Sequence, residues 1–299
     1  MSEERLSDVL ARRVVVVDGG LSTALTSAGH DLSDSLWSAR LLLTDPDAIT
    51  AAHLAYYRAG AEVAITSSYQ ATFEGFARRG LTAADTAGLL RDSVTLARRA
   101  ASEVDGPRWV AASVGPYGAM LADGSEYRGR YGLAPGALES FHRPRVEVLA
   151  ETGADVLAVE TIPDVEEAEA VLRVVAGSGV PLWLSYSARG TRTCAGQPLA
   201  EAFEAVRGVP EVVAVGVNCC DPADVDEAVA IARRVTGKPV VVYPNSGQGW
   251  DATTRSWTGE PAFRPERVAG WVAGGARLVG GCCQVGPDAI RDLAAAVTA

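Results

Sequence analysis

Eight times along this 299-residue chain, a short apolar run is followed by a longer stretch with apolar residues at helical spacing. The runs are Val14 to Val17, Ala61 to Ile65, Trp109 to Val114, Asp155 to Val159, Pro181 to Tyr186, Val212 to Val217, Pro239 to Tyr243 and Ala276 to Val279. Being apolar at nearly every position, they have the pattern of strands buried on both faces, as in a parallel sheet covered by helices. After the first run comes a loop holding Asp31, Asp34, Trp37 and Ser38. Helices are predicted over Asp47 to Ala59, Ala83 to Glu103, Leu138 to Thr152, Val165 to Ala176, Leu199 to Val206, Pro222 to Val235, Pro265 to Ala273 and Pro287 to Val297. The alternation continues without a linker or low-complexity break. It predicts one α/β domain over residues 1–299, folded as a single (β/α)8 TIM barrel, a fold of about 250 residues or more. A doubly wound open sheet is the competing architecture. Chain length and strand count favour the barrel, and neither Gly19-Gly20 nor Gly280-Gly281 has the G-x-G-x-x-G spacing of a dinucleotide fingerprint.

Composition narrows the partners. Hydrophobic residues make up 48%, enough for a large core, and the formal charge of -10 argues against nucleic acid or an anionic membrane surface. No apolar stretch reaches the roughly 18 to 20 residues that span a bilayer. The start, Met1-Ser2-Glu3-Glu4-Arg5, does not resemble a signal peptide, so a cytoplasmic protein acting on small molecules is expected. Of the five cysteines, four lie in two adjacent pairs, which is no disulfide framework.

In a parallel barrel the carboxyl ends of the strands share one face, where barrel enzymes keep their chemistry. The polar residues at those ends are Asp18, Ser67, Ser68, Glu160, Asn218, Cys219, Asn245, Ser246, Cys282 and Cys283. A lone cysteine is usually a small buried hydrophobe. Three thiols at the ends of the sixth and eighth strands instead describe a zinc site with three protein ligands, Cys219, Cys282 and Cys283, and one open position. A vicinal Cys282-Cys283 disulfide is the other reading, disfavoured by geometry and by a reducing compartment.

Asp18 can cap the turn at Gly19, and Glu160 can sit in a structural ion pair. A carboxylate at the inner end of a barrel strand is nevertheless costly without a partner, and two near a metal can hold an ammonium group. Cys220 should point away from the site, and Cys194 has no assigned partner. His30, His53 and His142 lack metal-ligand spacing. Trp250 and Trp257 flank a polar loop that could cover the site. Lys238, the only lysine, lies at the start of the seventh strand on the opposite face, which argues against Schiff-base chemistry.

With these residues in place, the chain resembles the homocysteine S-methyltransferase family, closest to the branch using S-methylmethionine or S-adenosylmethionine. The matching segments are Asp18-Gly19-Gly20, Asp34 to Ser38, His53 to Gly60, Ser68 to Thr72, Gly115-Pro116-Tyr117-Gly118, Asp123 to Gly129, Phe141 to Arg145, Glu160-Thr161, Asn218-Cys219, Val242 to Gly247 and Gly280 to Cys283. The resemblance implies a TIM barrel with zinc on Cys219, Cys282 and Cys283. It also implies that Asp18 and Glu160 bind the amino group of homocysteine, that Ser68 and the backbone near Gly19 meet its carboxylate, and that Asn218 lies beside the metal. Arg130 and Gln248 depart from the acidic residues common in that branch.

The implied reaction passes a methyl group from a sulfonium donor to the zinc-activated thiol of homocysteine, giving methionine. Betaine is the alternative donor. Enzymes of that branch carry a C-terminal extension, whereas this sequence ends after the eighth helix, so a sulfonium donor and a monomer are expected, with a weak homodimer as the alternative. A non-catalytic zinc-binding or thiol-redox protein is the reading from another class.

Overall fold

The computed structural model describes residues 4–34, 36–251 and 256–298, with only the backbone at 250, 251, 256 and 257. Its main sheet consists of β1 (Val15–Val16), β2 (Val63–Ile65), β3 (Trp109–Val114), β4 (Val156–Ile162), β5 (Leu182–Arg189), β6 (Val212–Asn218), β7 (Val240–Tyr243) and β8 (Ala276–Val279). Pairing is parallel in the order β1-β8-β7-β6-β5-β4-β3-β2. A parallel bridge between Val17 and Val63 joins β1 to β2, closing the predicted (β/α)8 barrel.

Period-two alternation divides the core into two layers. Val15, Val17, Val63, Trp109, Ala111, Val156, Ala158, Trp183, Ala214, Val241 and Leu278 fill the lumen, while their chain neighbours pack outward against the helices. Leu6, Val9 and Leu10 of a short helix, Leu6–Leu10, join the lumen cluster. That helix plugs the amino-terminal mouth, and Trp109 Nε1 at the start of β3 donates to the carbonyl of Glu4 at 3.0 Å. It and the helix Leu21–Ser27 are too short to show a clear period in the sequence, and the loop predicted after the first strand is partly helical for that reason.

The same parity carries into the upper lumen. Ser113, Glu160, Ser185, Asn218 and Tyr243 occupy inward positions at the carboxyl ends of β3 to β7, forming a polar layer over the apolar plug. Beyond β7, a two-stranded hairpin pairs Gly249–Asp251 with Ser256–Thr258. The side chains of Trp250 and Trp257, expected to cover the site, lie outside the described residues.

Candidate active site

Two glycine-rich turns are pressed together at the carboxyl ends of β1 and β8. Gly281 N donates to the carbonyl of Asp18 at 3.1 Å, and Gly20 N donates to that of Val285 at the same distance. A Cβ at Gly19 would collide with the Val285 carbonyl, and one at Gly280 would lie 2.7 Å from the Asp18 carbonyl. Glycine is required there because two backbones meet without room for a side chain.

The turn after β8 is also tied to β7. Cys282 N donates to Pro244 O (2.8 Å), Cys283 N donates to Asn245 Oδ1 (3.1 Å), and Ser246 N donates to Cys283 O (2.9 Å). From β6, Cys219 N donates to Tyr243 O at 3.2 Å, and Cys219 takes a left-handed backbone with φ of 48°. The sulfurs of Cys219, Cys282 and Cys283 consequently lie within 4.8 Å of one another. Cys219 and Cys282 are at disulfide contact, with Cα atoms 5.7 Å apart, and Cys283 is free. Reduced, the three thiols suit three corners of a zinc tetrahedron, whose sulfur–sulfur edges are roughly 3.8 Å for bonds of about 2.3 Å. Burial pushes the Cys283 thiol up to about 11, so a neighbouring cation is needed to keep it ionised at neutral pH.

Cys220 is buried, its thiol raised by desolvation, and Cys194 also lies outside the cluster, its thiol raised by burial. Both stand apart from the three clustered thiols.

Two acids share the lumen mouth. Asp18 is almost fully buried, with Oδ2 accepting from Ile65 N at 2.9 Å and Oδ1 lacking a protein partner. Burial drives its pKa well above the usual carboxylate range, the Ile65 amide opposes this, and the charge of Glu160 adds to it. Glu160 accepts from Ser113 Oγ at 2.5 Å, and burial raises it to about 7 against the hydrogen bonds of Ser113 and Tyr243. Two desolvated acids, one feeling the charge of the other, are poised for a cation.

The remaining contacts sharpen the expectations. Ser68 is fully buried, its hydroxyl donating to Ser113 O at 2.8 Å and lying 2.7 Å from Thr66 Oγ1. Its neighbour Ser67 has a buried Oγ without a partner, and its place at a strand end was the only sequence signal for it. Asn218 turns its carboxamide onto Thr161 and Ser185. Gln248 is held within the loop, accepting from Ser246 Oγ at 3.2 Å and donating to Gly259 O at 3.1 Å. Arg130 has a left-handed backbone, φ 52°, and its amide donates to Asp164 Oδ2 at 3.1 Å.

A long segment between β3 and the helix Pro135–Ala150 is tied to the same face. Glu167 accepts from Tyr117 N (2.6 Å), Tyr131 OH (3.2 Å) and His142 Nε2 (2.9 Å), fastening both ends of the segment. Arg145 donates to His142 Nδ1 at 2.7 Å and to the Gly115 carbonyl, which assigns the imidazole hydrogen to Nε2. Burial lowers His142 to about 4, so it is neutral. Between these anchors Tyr127 comes close enough to Cys283 for the two groups to interact electrostatically, placing the segment against the thiols.

This arrangement has counterparts among known proteins. The family described as "Homocysteine S-methyltransferase" matches residues 15–297. The homocysteine S-methyltransferase of Escherichia coli K12 is 44% identical, and YbgG of Bacillus subtilis 168, of the same description, is 41% identical; each match covers 94% of both chains. The crystal structure of the metallated E. coli homocysteine methyltransferase MmuM superposes with a TM-score of 0.87 at 42% identity, covering 96% of this chain and 98% of that one. With the family spanning almost the entire barrel, the chain belongs to the homocysteine S-methyltransferases.

Proposed function

We propose that this chain transfers a methyl group from a sulfonium donor, S-methylmethionine or S-adenosylmethionine, to L-homocysteine, giving methionine, and that it does so with zinc on Cys219, Cys282 and Cys283. The observation carrying this reading is the convergence of three thiols within 4.8 Å beside two buried acids at the same barrel mouth. Zinc, when bound, acidifies the homocysteine thiol and keeps its sulfur nucleophilic near neutral pH.

The protein residues supply alignment. Asp18 Oδ1 and Glu160 receive the ammonium group, which replaces the cation these desolvated acids lack. The carboxylate lies against the Gly19 backbone and the serine pair. Ser68, the expected contact, frames the pocket through Ser113, and the unpartnered Ser67 hydroxyl reaches the ligand. Asn218 borders the thiol end, with one Nδ2 hydrogen beyond its bond to Thr161.

The homocysteine sulfur attacks the donor methyl carbon in line. One carbon–sulfur bond forms as the donor's breaks, the bonding pair leaves with the donor sulfur, and a neutral thioether departs. No general base acts in the transfer, so the rate comes from thiol activation and alignment. The single barrel domain carries the whole reaction, working as a monomer in a reducing cytoplasm that keeps the three thiols available. No helix among the described residues is long and apolar enough to cross a membrane.

Incubating zinc-loaded protein with homocysteine and S-methylmethionine, S-adenosylmethionine or betaine, and quantifying methionine, tests the proposal. Methionine from a sulfonium donor, lost in Cys282→Ser together with the zinc, supports it. Stoichiometric zinc without methionine from any donor refutes it.

A further inference from the structure

The register of β4 slips beside the site. Val159 pairs with Leu184 and Ile162 with Tyr186, three steps along β4 against two along β5. This is a bulge, the device by which strands re-aim a side chain near an active site. Its effect is visible in the layers: Leu157, Val159 and Ile162 face outward, so the extra residue leaves both Glu160 and Thr161 off the outer face. Thr161 takes a left-handed backbone, φ 60°, a conformation that a β-branched residue adopts only when its surroundings impose it.

Asn218 supplies that constraint from β6, across the intervening β5. Its Oδ1 accepts the Thr161 N–H at 2.8 Å and its Nδ2 donates to Thr161 Oγ1 at 2.7 Å. The second lone pair of Oδ1 is filled by Ser185 Oγ of β5 at 2.5 Å. All three residues are buried. The two braced residues adjoin two parts of the site: Thr161 follows Glu160, and Asn218 precedes Cys219, itself left-handed. A second link runs parallel, because the Tyr243 phenol meets Ser185 Oγ at 2.9 Å, the same hydroxyl that bonds Asn218, while the Tyr243 carbonyl accepts from Cys219 N.

We propose that the Asn218–Thr161 pair is a positioning brace that sets the distance between the ammonium anchor Glu160 and the thiol centre at Cys219, selecting homocysteine over its shorter homologue cysteine. The inference rests on the assignments of Glu160 and Cys219 above. A substrate held at its ammonium and its sulfur is measured by the span between the two holders. One methylene then decides whether both contacts form together, a difference of ~10-fold or more in kcat/KM.

The test is a double-variant cycle of Asn218→Ala and Thr161→Val, with Thr161→Ser as the conservative control. It reads kcat/KM for homocysteine and for cysteine, and zinc affinity by chelator competition. The expected result is a ~10-fold fall in the homocysteine-to-cysteine ratio in each single variant, with the double variant no worse than Asn218→Ala, because the two residues act as one unit. Thr161→Ser retains the ratio, and zinc affinity weakens in Asn218→Ala and Thr161→Val. An unchanged ratio with equal losses for both thiols overturns the brace, as do additive effects that would mark Asn218 as a direct substrate contact. If Asn218→Ala does not fold, the contrast between Thr161→Val and Thr161→Ser decides alone. A wild-type protein that methylates neither thiol refutes the ammonium and thiol assignments instead, and zinc affinity in the same variants still decides whether the brace holds Cys219.

Discussion

Ser113 Oγ donates to Glu160 Oε1 at 2.5 Å, opposing the burial that raises this acid to about 7. An ammonium ligand needs the ionised carboxylate, so affinity should rise with pH through neutrality. Methionine, which has no thiol to titrate, isolates this contact as a probe. Its dissociation constant, followed by calorimetry from pH 6 to 8, should fall, and Ser113→Ala should move the midpoint upward by removing the bond that favours the anion. A flat profile in both proteins would dismiss Glu160 as the ammonium anchor.

The same raised acid should make the empty site a liability to stability. A carboxyl whose folded pKa lies above its unfolded value contributes stability that is present below about 4.5 and lost as pH rises through about 7. Glu160→Gln should therefore match the wild type near pH 4.5 and exceed it at pH 8, by up to about 3 kcal/mol, while losing methionine binding. Thermal unfolding at the two pH values measures this, and a variant less stable at pH 8 would contradict it.

Only three of the five cysteines converge. Serine at Cys219, Cys282 or Cys283 should each abolish stoichiometric zinc and lower activity by 10²-fold or more, on the order of what removal of a metal ligand or its outer partner costs. Serine at Cys194 should leave zinc content unchanged. Metal analysis of purified, reduced protein distinguishes the two groups, and zinc loss in Cys194→Ser would revise the ligand set.

Glu167 holds both ends of the segment that brings Tyr127 to Cys283. Glu167→Ala would strip acceptors from the Tyr117 amide and the His142 imidazole, leaving buried donors unsatisfied at about 1–3 kcal/mol each. Urea unfolding should show a loss of roughly 3 kcal/mol, and hydrogen exchange should accelerate across residues 115–134. Unaltered exchange there would mean that the segment is held by other contacts.

Much of this molecule is legible residue by residue. The eight doubly apolar runs require strands covered on both sides, and eight in one chain close a barrel. Once the strands are parallel, their carboxyl ends share a face, so Asp18, Glu160, Cys219 and the Cys282-Cys283 pair must gather there wherever the loops run. Strand parity, a local property, even specifies that Glu160 and Asn218 point inward.

What tertiary structure alone decided is how these groups are held. The bulge at Glu160 and Thr161 arises from register against β5, which no pattern within β4 encodes. Whether Ser67 or Ser68 keeps an open hydroxyl depends on Ser113, over forty residues away, and Glu167 meets Tyr117 across fifty. Short helices such as Leu6–Leu10 take their stability from the lumen they plug, so their own sequence carries little signal. The sequence by itself determined which chemical groups the barrel mouth contains, because chain direction and parity are local. Their spacing, protonation and hydrogen-bond partners come from residues distant in the chain, and only the closed fold brings those together.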